Sequence, residues 1–155
     1  DTGVRGDALA ALVACRAPSA VATLWKIADD GQAPGELRLR AVSLVGALGD
    51  RALAAALITR FGRWREGAFS DELALALATH AAVVLGHLGD RAAAPALADA
   101  AADAAFPSLQ AAAVAALGEL GDCAPATRRI YDELASSSER SVALAAQRAR
   151  TACVR

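Results

Sequence analysis

A six-residue motif ending in Gly-Asp occurs three times in the chain and constrains its fold more than any other feature. The copies are VGALGD at 45–50, LGHLGD at 85–90 and LGELGD at 117–122. An apolar residue lies twelve positions before the last glycine of each copy, and the same register extends in both directions. The resulting repeat starts are Val4, Leu37, Leu77, Leu109 and Val142, with spacings of 33, 40, 32 and 33 residues. Such a period is typical of helical solenoids, in which stacked units share one core.

Each unit is predicted to consist of two helices joined at the motif, because apolar residues recur at helical spacing on both sides of it. The last glycine suits the left-handed conformation that ends a helix, and the aspartate can accept hydrogen bonds from the next helix, which stabilises it by ~1 kcal/mol. These turn residues are Gly49, Asp50, Gly89, Asp90, Gly121 and Asp122. The earlier glycines Gly46, Gly86 and Gly118 lie inside the first helix, where we expect them to permit close approach of a neighbouring helix.

The composition favours one domain of closely packed helices with small side chains. Hydrophobic residues make up 55% of the chain but aromatic residues only 4%. A formal net charge of −1 provides no general attraction to nucleic acid or to an anionic membrane. No apolar run reaches the roughly 18 residues of a spanning helix, so we expect no membrane insertion.

The three motifs resemble the HEAT-like repeats of the bilin-lyase type. The segment LQAAAVAALGELGD (109–122) nearly matches that pattern, and LATHAAVVLGHLGD (77–90) and LRLRAVSLVGALGD (37–50) are close to it. The resemblance covers almost the whole chain. It implies an all-α, right-handed α-solenoid of about four and a half two-helix repeats, forming a single domain over residues 1–155, with the second helices lining a concave face.

The repeats at the two ends depart from the pattern. Arg16, Ala17 and Pro18 replace Gly-Asp in the first repeat, and the fifth ends at Arg155, where its second helix should begin. The fifth unit is therefore either a terminal cap or a cut in a longer array. The chain begins with Asp1 and contains no methionine, so we expect the natural N-terminus to be missing; targeting cannot be read, and a cytoplasmic location is slightly favoured. An exposed last repeat could also drive end-to-end self-association.

The long second repeat suggests a first binding site, because it inserts about seven residues around 60–72. Insertions in repeats often lie on the binding face, and Trp and Arg are enriched at binding hot spots. The candidates here are Arg60, Arg63, Trp64, Arg65 and Phe69. In the alternative interpretation Trp64 folds back on the solenoid and Ser70, Asp71 and Glu72 cap the next helix.

The polar positions of the second helices form the other candidate surface. These positions are Trp25 with Lys26, Thr59 with Arg60, Asp99 with Asp103, and Arg128 with Arg129 and Asp132. Their charges alternate in sign along the array, which suits a protein or peptide partner of mixed charge rather than a continuous phosphate track. Solvated surface is the alternative for each residue.

Histidines and cysteines suggest no catalytic or metal site. His80 and His87 are seven residues apart, too far for the usual helical metal pair, and are expected at the surface. Cys15, Cys123 and Cys153 are interpreted as reduced thiols, with Cys15 and Cys153 in the core and Cys123 the most reactive at a helix start. A bridge between Cys123 and Cys153 is the alternative in an oxidising compartment.

The predicted function is a non-catalytic protein-binding or scaffold module with no cofactor. The sequence shows no Ser-His-acid set and no glycine-rich phosphate loop, and it lacks the His-Glu pair of the metal-dependent hydroxylases built from related repeats. One alternative, which rests on the resemblance alone, is a bilin lyase-like or isomerase-like subunit. Another is binding of a nucleic-acid backbone, against which Asp99 and Asp103 count; its candidate residues are Arg38, Arg40, Arg60, Arg63 and Arg65.

Overall fold

The computed structural model describes residues 2–15 and 19–154, which form nine α-helices, two short 3₁₀ turns and no strand. The helices are α1 (Thr2–Ala14), α2 (Ala20–Asp29), α3 (Gly35–Leu48), α4 (Ala54–Gly67), α5 (Glu72–Leu88), α6 (Ala94–Ala101), α7 (Pro107–Glu119), α8 (Pro125–Leu134) and α9 (Arg140–Ala152). The 3₁₀ turns, Arg51–Leu53 and Arg91–Ala93, precede α4 and α6. The predicted all-α repeat fold is confirmed.

The helices form two layers. The first helices of the units, α1, α3, α5, α7 and α9, pack each on the next, and each second helix packs on the first helix of the following unit. The closest antiparallel pairs are therefore α2/α3, α4/α5, α6/α7 and α8/α9, which straddle the unit boundaries read from the motif. The repeat-start residues Leu37, Leu77, Leu109 and Val142 are all buried in the first helices.

The motif turns have the geometry that their residues favour. The backbone φ angles of Gly49, Gly89 and Gly121 are +63°, +70° and +63°. Asp50 and Asp90 each accept a hydrogen bond from the backbone N–H two residues later, and this bond opens a 3₁₀ turn that leads into the second helix. The turn predicted at Arg16, Ala17 and Pro18, the side chain of Val4 and the end at Arg155 lie outside the described residues.

The glycines inside the first helices lie at close helix contacts. A Cβ atom added to Gly86 would lie 2.9 Å from the Cα atom of Ala116 on α7, and one on Gly118 would lie 3.0 Å from the Cβ atom of Ala149 on α9. A Cβ atom on Gly46 would meet Val84 of α5 at 3.2 Å. Three successive interfaces of the first layer therefore have a close contact at the repeated glycine.

The extra residues of the second repeat lengthen two helices instead of forming a loop. Helix α4 has 14 residues and α5 has 17, against 8 in α6 and 13 in α7. On the extended part of α4, Trp64 is only 5% exposed and belongs to the hydrophobic core with Leu57 and Phe61. Its ring packs inside the solenoid, because the α4 face that carries Leu57 and Phe61 continues through Trp64. The prediction of Trp64 as a surface contact does not fit this burial.

The cysteines differ from the reduced core thiols that the sequence suggested. Cys123 and Cys153 form a disulfide with their Cα atoms 5.6 Å apart, and Cys15 is exposed. The bond joins the turn before α8 to the end of α9. Beside it, the hydroxyl of buried Tyr131 donates to the carbonyl oxygen of Asp122 over 3.0 Å. Burial, and to a lesser extent the negative charge of Asp122, raise the pKa of the Tyr131 phenol above its usual value.

Candidate partner-binding face

The second-helix face comprises the exposed sides of α2, α4, α6 and α8, and an arginine–aspartate cluster connects two of these helices. Arg60 of α4 stacks its guanidinium 4.2 Å from the ring centroid of Trp25 on α2. Its Nη2 and Nε atoms donate to the Asp29 carboxylate over 2.6 and 3.1 Å, and its Nη1 atom donates to the carbonyl oxygen of Ala56 over 3.0 Å. With all three nitrogens engaged, Arg60 holds α2 against α4.

Arg63 and Arg65 extend this cluster outward and to the next helix. The Nη2 atom of Arg63 donates to Asp29 over 2.7 Å, but the side chain remains 60% exposed. On the other side of α4, Nη2 of Arg65 donates to the carbonyl oxygen of Asp99 over 3.2 Å and lies 3.7 Å from the Asp103 carboxylate. The sequence missed the role of Asp29, although Asp29 lies one helical turn after Trp25 and Lys26.

Some of the remaining charged candidates on the face contact other residues of the protein, and others do not. Arg128 donates to the carbonyl oxygen of Cys153 over 3.1 Å, and Asp132 pairs with Arg150 over 3.7 Å, so both contact the end region of α9. Lys26 and Arg129 are exposed and form no side-chain hydrogen bond or ion pair with the described residues. These two cations are available to an external group.

An aromatic pair lies in the loops that follow α4 and α6. Phe69, which is 73% exposed, meets Phe106 edge to face with ring centroids 4.7 Å apart. Of the nine predicted binding residues, seven are exposed or half-buried on the second helices. Phe69 lies in the loop after α4, and Trp64 lies in the core.

The first-helix side contains shallow grooves. One groove of about 480 Å³ lies between α3 and α5 and is lined by His80 and His87, both exposed. His87 Nε2 lies 3.5 Å from a Glu119 carboxylate oxygen. In the described part of the chain, no group of three or more His, Cys, Asp or Glu side chains is placed to hold a metal ion. Among the helices of residues 2–15 and 19–154, none has the length and apolar character needed to cross a membrane.

Comparison with known proteins adds a likeness in fold. No protein-family model and no curated protein matches the chain. The chain is similar to the solved structure of human deoxyhypusine hydroxylase in complex with glycerol, with 18% sequence identity and a TM-score of 0.46. The alignment covers 99% of this chain and 80% of the hydroxylase chain.

This comparison corrects the prediction that the chain is not an enzyme. The protein in the similar structure is named as a hydroxylase, an enzyme, which contradicts that prediction. Fold class does not by itself distinguish a scaffold from an enzyme. At this identity the likeness concerns the fold alone, and the hydroxylase activity is not transferred to this chain.

Proposed function

We propose that the chain is a HEAT-like repeat module that binds a protein or peptide partner on its second-helix face. The observation that carries this proposal is the cross-helix cluster of Asp29, Arg60, Arg63 and Arg65, which connects α2, α4 and α6 through side chains. A surface held in this way loses little conformational entropy when a partner binds.

The face also offers the residue types that concentrate binding energy. Arginine and aromatic residues are enriched at interfaces, and the face has exposed Arg63 within the cluster and exposed Phe69 in the loop after α4. Arg60 and Trp25 provide a fixed support in the cluster, because the ring and the guanidinium are already stacked on each other.

A nucleic-acid partner is disfavoured because the arginines that could bind its phosphates already contact groups of the protein. Arg40 pairs with Asp7 over 2.9 Å, and Arg38 donates to the carbonyl oxygen of Ala28 over 3.0 Å. The arginines of α4 are engaged by Asp29, Asp99 and Asp103, as described above. Because acids and carbonyl groups already compensate these cations, few remain to neutralise a run of phosphates.

The proposal is tested by affinity capture from lysate of the source organism with two matched triple variants. The face variant combines Lys26→Ser, Arg63→Ser and Arg129→Ser. The control variant combines Arg5→Ser, Arg91→Ser and Arg148→Ser, which removes the same charge from exposed positions outside the second-helix face. We expect the control variant to capture as much partner as the parent does. The face variant should capture at least about tenfold less, because charged contacts central to an interface typically contribute over 1 kcal/mol.

The capture requires that all three proteins have the same helical circular dichroism spectrum. If both triple variants lose the partner equally, net charge rather than the face determines binding. If only the control loses it, the binding surface lies elsewhere, and the proposal is abandoned.

A further inference from the structure

We propose that the disulfide between Cys123 and Cys153 is a reversible redox switch. Reduction releases the last turn of α9 from the turn between α7 and α8, and oxidation fastens it there again. The proposal goes beyond the proposed function and does not depend on it. It follows from an asymmetry of the bond, because one cysteine lies on a backbone that other contacts hold and the other cysteine does not.

Cys123 lies on a fixed support. It follows Asp122, whose carboxylate accepts from the hydroxyl of Thr127 over 2.7 Å and from the backbone N–H of Ala124 over 3.2 Å. The carbonyl oxygen of Asp122 accepts from the hydroxyl of Tyr131 over 3.0 Å. Both hydroxyl-bearing residues are buried on α8. These contacts hold the turn between α7 and α8 whether or not Cys123 is bonded.

Cys153 ends a helix whose last turn lacks the apolar anchor of the other repeats. It lies eleven positions after the repeat start Val142, where each of the three central repeats has a leucine, Leu48, Leu88 or Leu120. Three positions earlier, exposed Arg150 replaces a fully buried aliphatic residue of those repeats, Val45, Leu85 or Leu117. The last turn of α9 therefore buries no large apolar side chain, and the disulfide takes the place of the leucine.

The contacts of this turn that remain after reduction are weak. Arg128 donates to the carbonyl oxygen of Cys153 over 3.1 Å, and Arg150 lies 3.7 Å from Asp132 with side chains that are 53% and 65% exposed. Exposed ion pairs contribute about 0–1 kcal/mol, and helix ends fray because their last carbonyl groups lack helical partners. Loss of the bond therefore frees the last turn and, with it, the guanidinium of Arg128 on the second-helix face.

The rest of α9 stays in place when the bond is reduced. Its earlier turns are held by buried Val142, Ala146 and Ala149, and the helix packs mainly on α7. Both cysteines lie outside the helices, one before α8 and one directly after α9, so breaking the bond interrupts no helix. The change is therefore confined to the end of the array.

A dithiol supplies the two electrons of the reduction. One of its thiolates attacks a sulfur atom of the bond and forms a mixed disulfide, which its second thiol then resolves. The products are two cysteine thiols in the protein and one oxidised dithiol. Both cysteines are only half-buried, so a small dithiol can reach the bond in the folded protein.

The test measures peptide-resolved amide hydrogen exchange in the oxidised protein, after reduction with dithiothreitol and after reoxidation with oxidised glutathione. We expect reduction to accelerate exchange at residues 150–154 at least about tenfold, because local opening determines the exchange of a helix end. Exchange in α8, which carries the fixed support, should change less than about twofold. Reoxidation should restore the original pattern.

Two double variants separate the covalent bond from apolar anchoring. Cys123→Ser combined with Cys153→Ser should exchange like the reduced parent with and without dithiothreitol. Cys123→Ser combined with Cys153→Leu restores the leucine of the central repeats. In this variant the last turn should stay protected and should not respond to the reductant. Circular dichroism and thermal unfolding check that both variants are folded.

Three outcomes would overturn the proposal. Reduction of the native protein without faster exchange at residues 150–154 would show that the last turn is docked without the bond. A bond that dithiothreitol reduces only in denaturant would be a permanent cross-link. Equal acceleration throughout α8 and α9 would show that the bond supports the whole last part of the array instead of controlling its final turn.

Discussion

Gly86 lies at a close contact between two first helices, and its lack of a side chain stabilises the interface more than it weakens the helix. An alanine there would gain about 0.8–1.0 kcal/mol of helix propensity. Its Cβ atom, however, would lie 2.9 Å from the backbone of Ala116 and 3.0 Å from the side chains of Ala116 and Glu119. Because backbone atoms cannot yield as a flexible side chain does, the clash outweighs the gain.

We therefore predict that Gly86→Ala destabilises the fold by roughly 1–3 kcal/mol, the usual cost of overpacking. Gly62 of α4 is the matched control, since no atom lies within 4 Å of an added Cβ there. Gly62→Ala should stabilise the fold by roughly 0.5–1 kcal/mol. Urea unfolding of the two variants and the parent measures both changes. Equal effects of the two substitutions would show that the close approach at Gly86 has no energetic importance.

At this scale the sequence predicted the conformation of the turn residues but left the burial of Trp64 open. A glycine before an aspartate has one low-energy role in a helical turn, whatever surrounds it. The role of Trp64 depended on which side of a lengthened helix faces the core, and local composition does not contain that information. Phe61 and Trp64 lie three residues apart and are buried together, and this spacing was the signal that could have assigned Trp64 to the core.

At the scale of helices, the disulfide fastens α9, which packs mainly on α7 and α8. Cys123 and Cys153 are 30 residues apart in sequence, so the bond closes a loop that includes all of α8 and α9. The hydrogen bond from Arg128 to the carbonyl oxygen of Cys153 acts at the same place. The sequence offered this pair only as the alternative to reduced thiols, because the proximity of the two cysteines depends on how the last two units stack.

We predict that Cys153→Ser lowers the free energy of unfolding by about 3–4 kcal/mol, the entropic effect of a cross-link closing a loop of this length. Guanidinium unfolding without and with a reductant measures the loss, and the reduced parent should resemble the variant. Cys15→Ser, at the exposed free thiol, is the control and should change stability by less than about 0.5 kcal/mol. Three reactive thiols in the native, unreduced parent would contradict the bond and this prediction.

Contacts between elements also show which feature of the repeat the sequence pattern could not predict. The hydrophobic period predicted helices on both sides of each Gly-Asp turn, because amphipathic spacing is a local property. Which helices pair most closely is not local, and the structure pairs α4 with α5 rather than with α3. The added residues of 60–72 serve that pairing by lengthening both partners, as the contact between Gly67 and Ala74 shows.

For the molecule as a whole, packing is between neighbours along the array. Helix α5 packs on α3, α4 and α7, whereas α1 packs only on α2 and α3 among the extensive contacts of the described residues. In such an array stability is close to a sum of repeat and interface contributions, so the ends open more readily than the centre. The arginine–aspartate cluster between α2 and α6 joins the weaker N-terminal end to the centre.

We therefore predict a gradient of amide hydrogen exchange, slowest in α5 and α7 and fastest in α1. Peptide-resolved mass spectrometry over minutes to hours measures this order. Reduction of the disulfide should accelerate exchange in α9 and leave α5 unchanged, because α5 does not depend on the cross-link for its neighbours. Asp29→Asn should accelerate exchange in α2 more than in α7, since it weakens the contact of Arg60 with Asp29. Uniform exchange across all helices, unaffected by either change, would mean that the array unfolds as one cooperative unit and that its contacts are not additive.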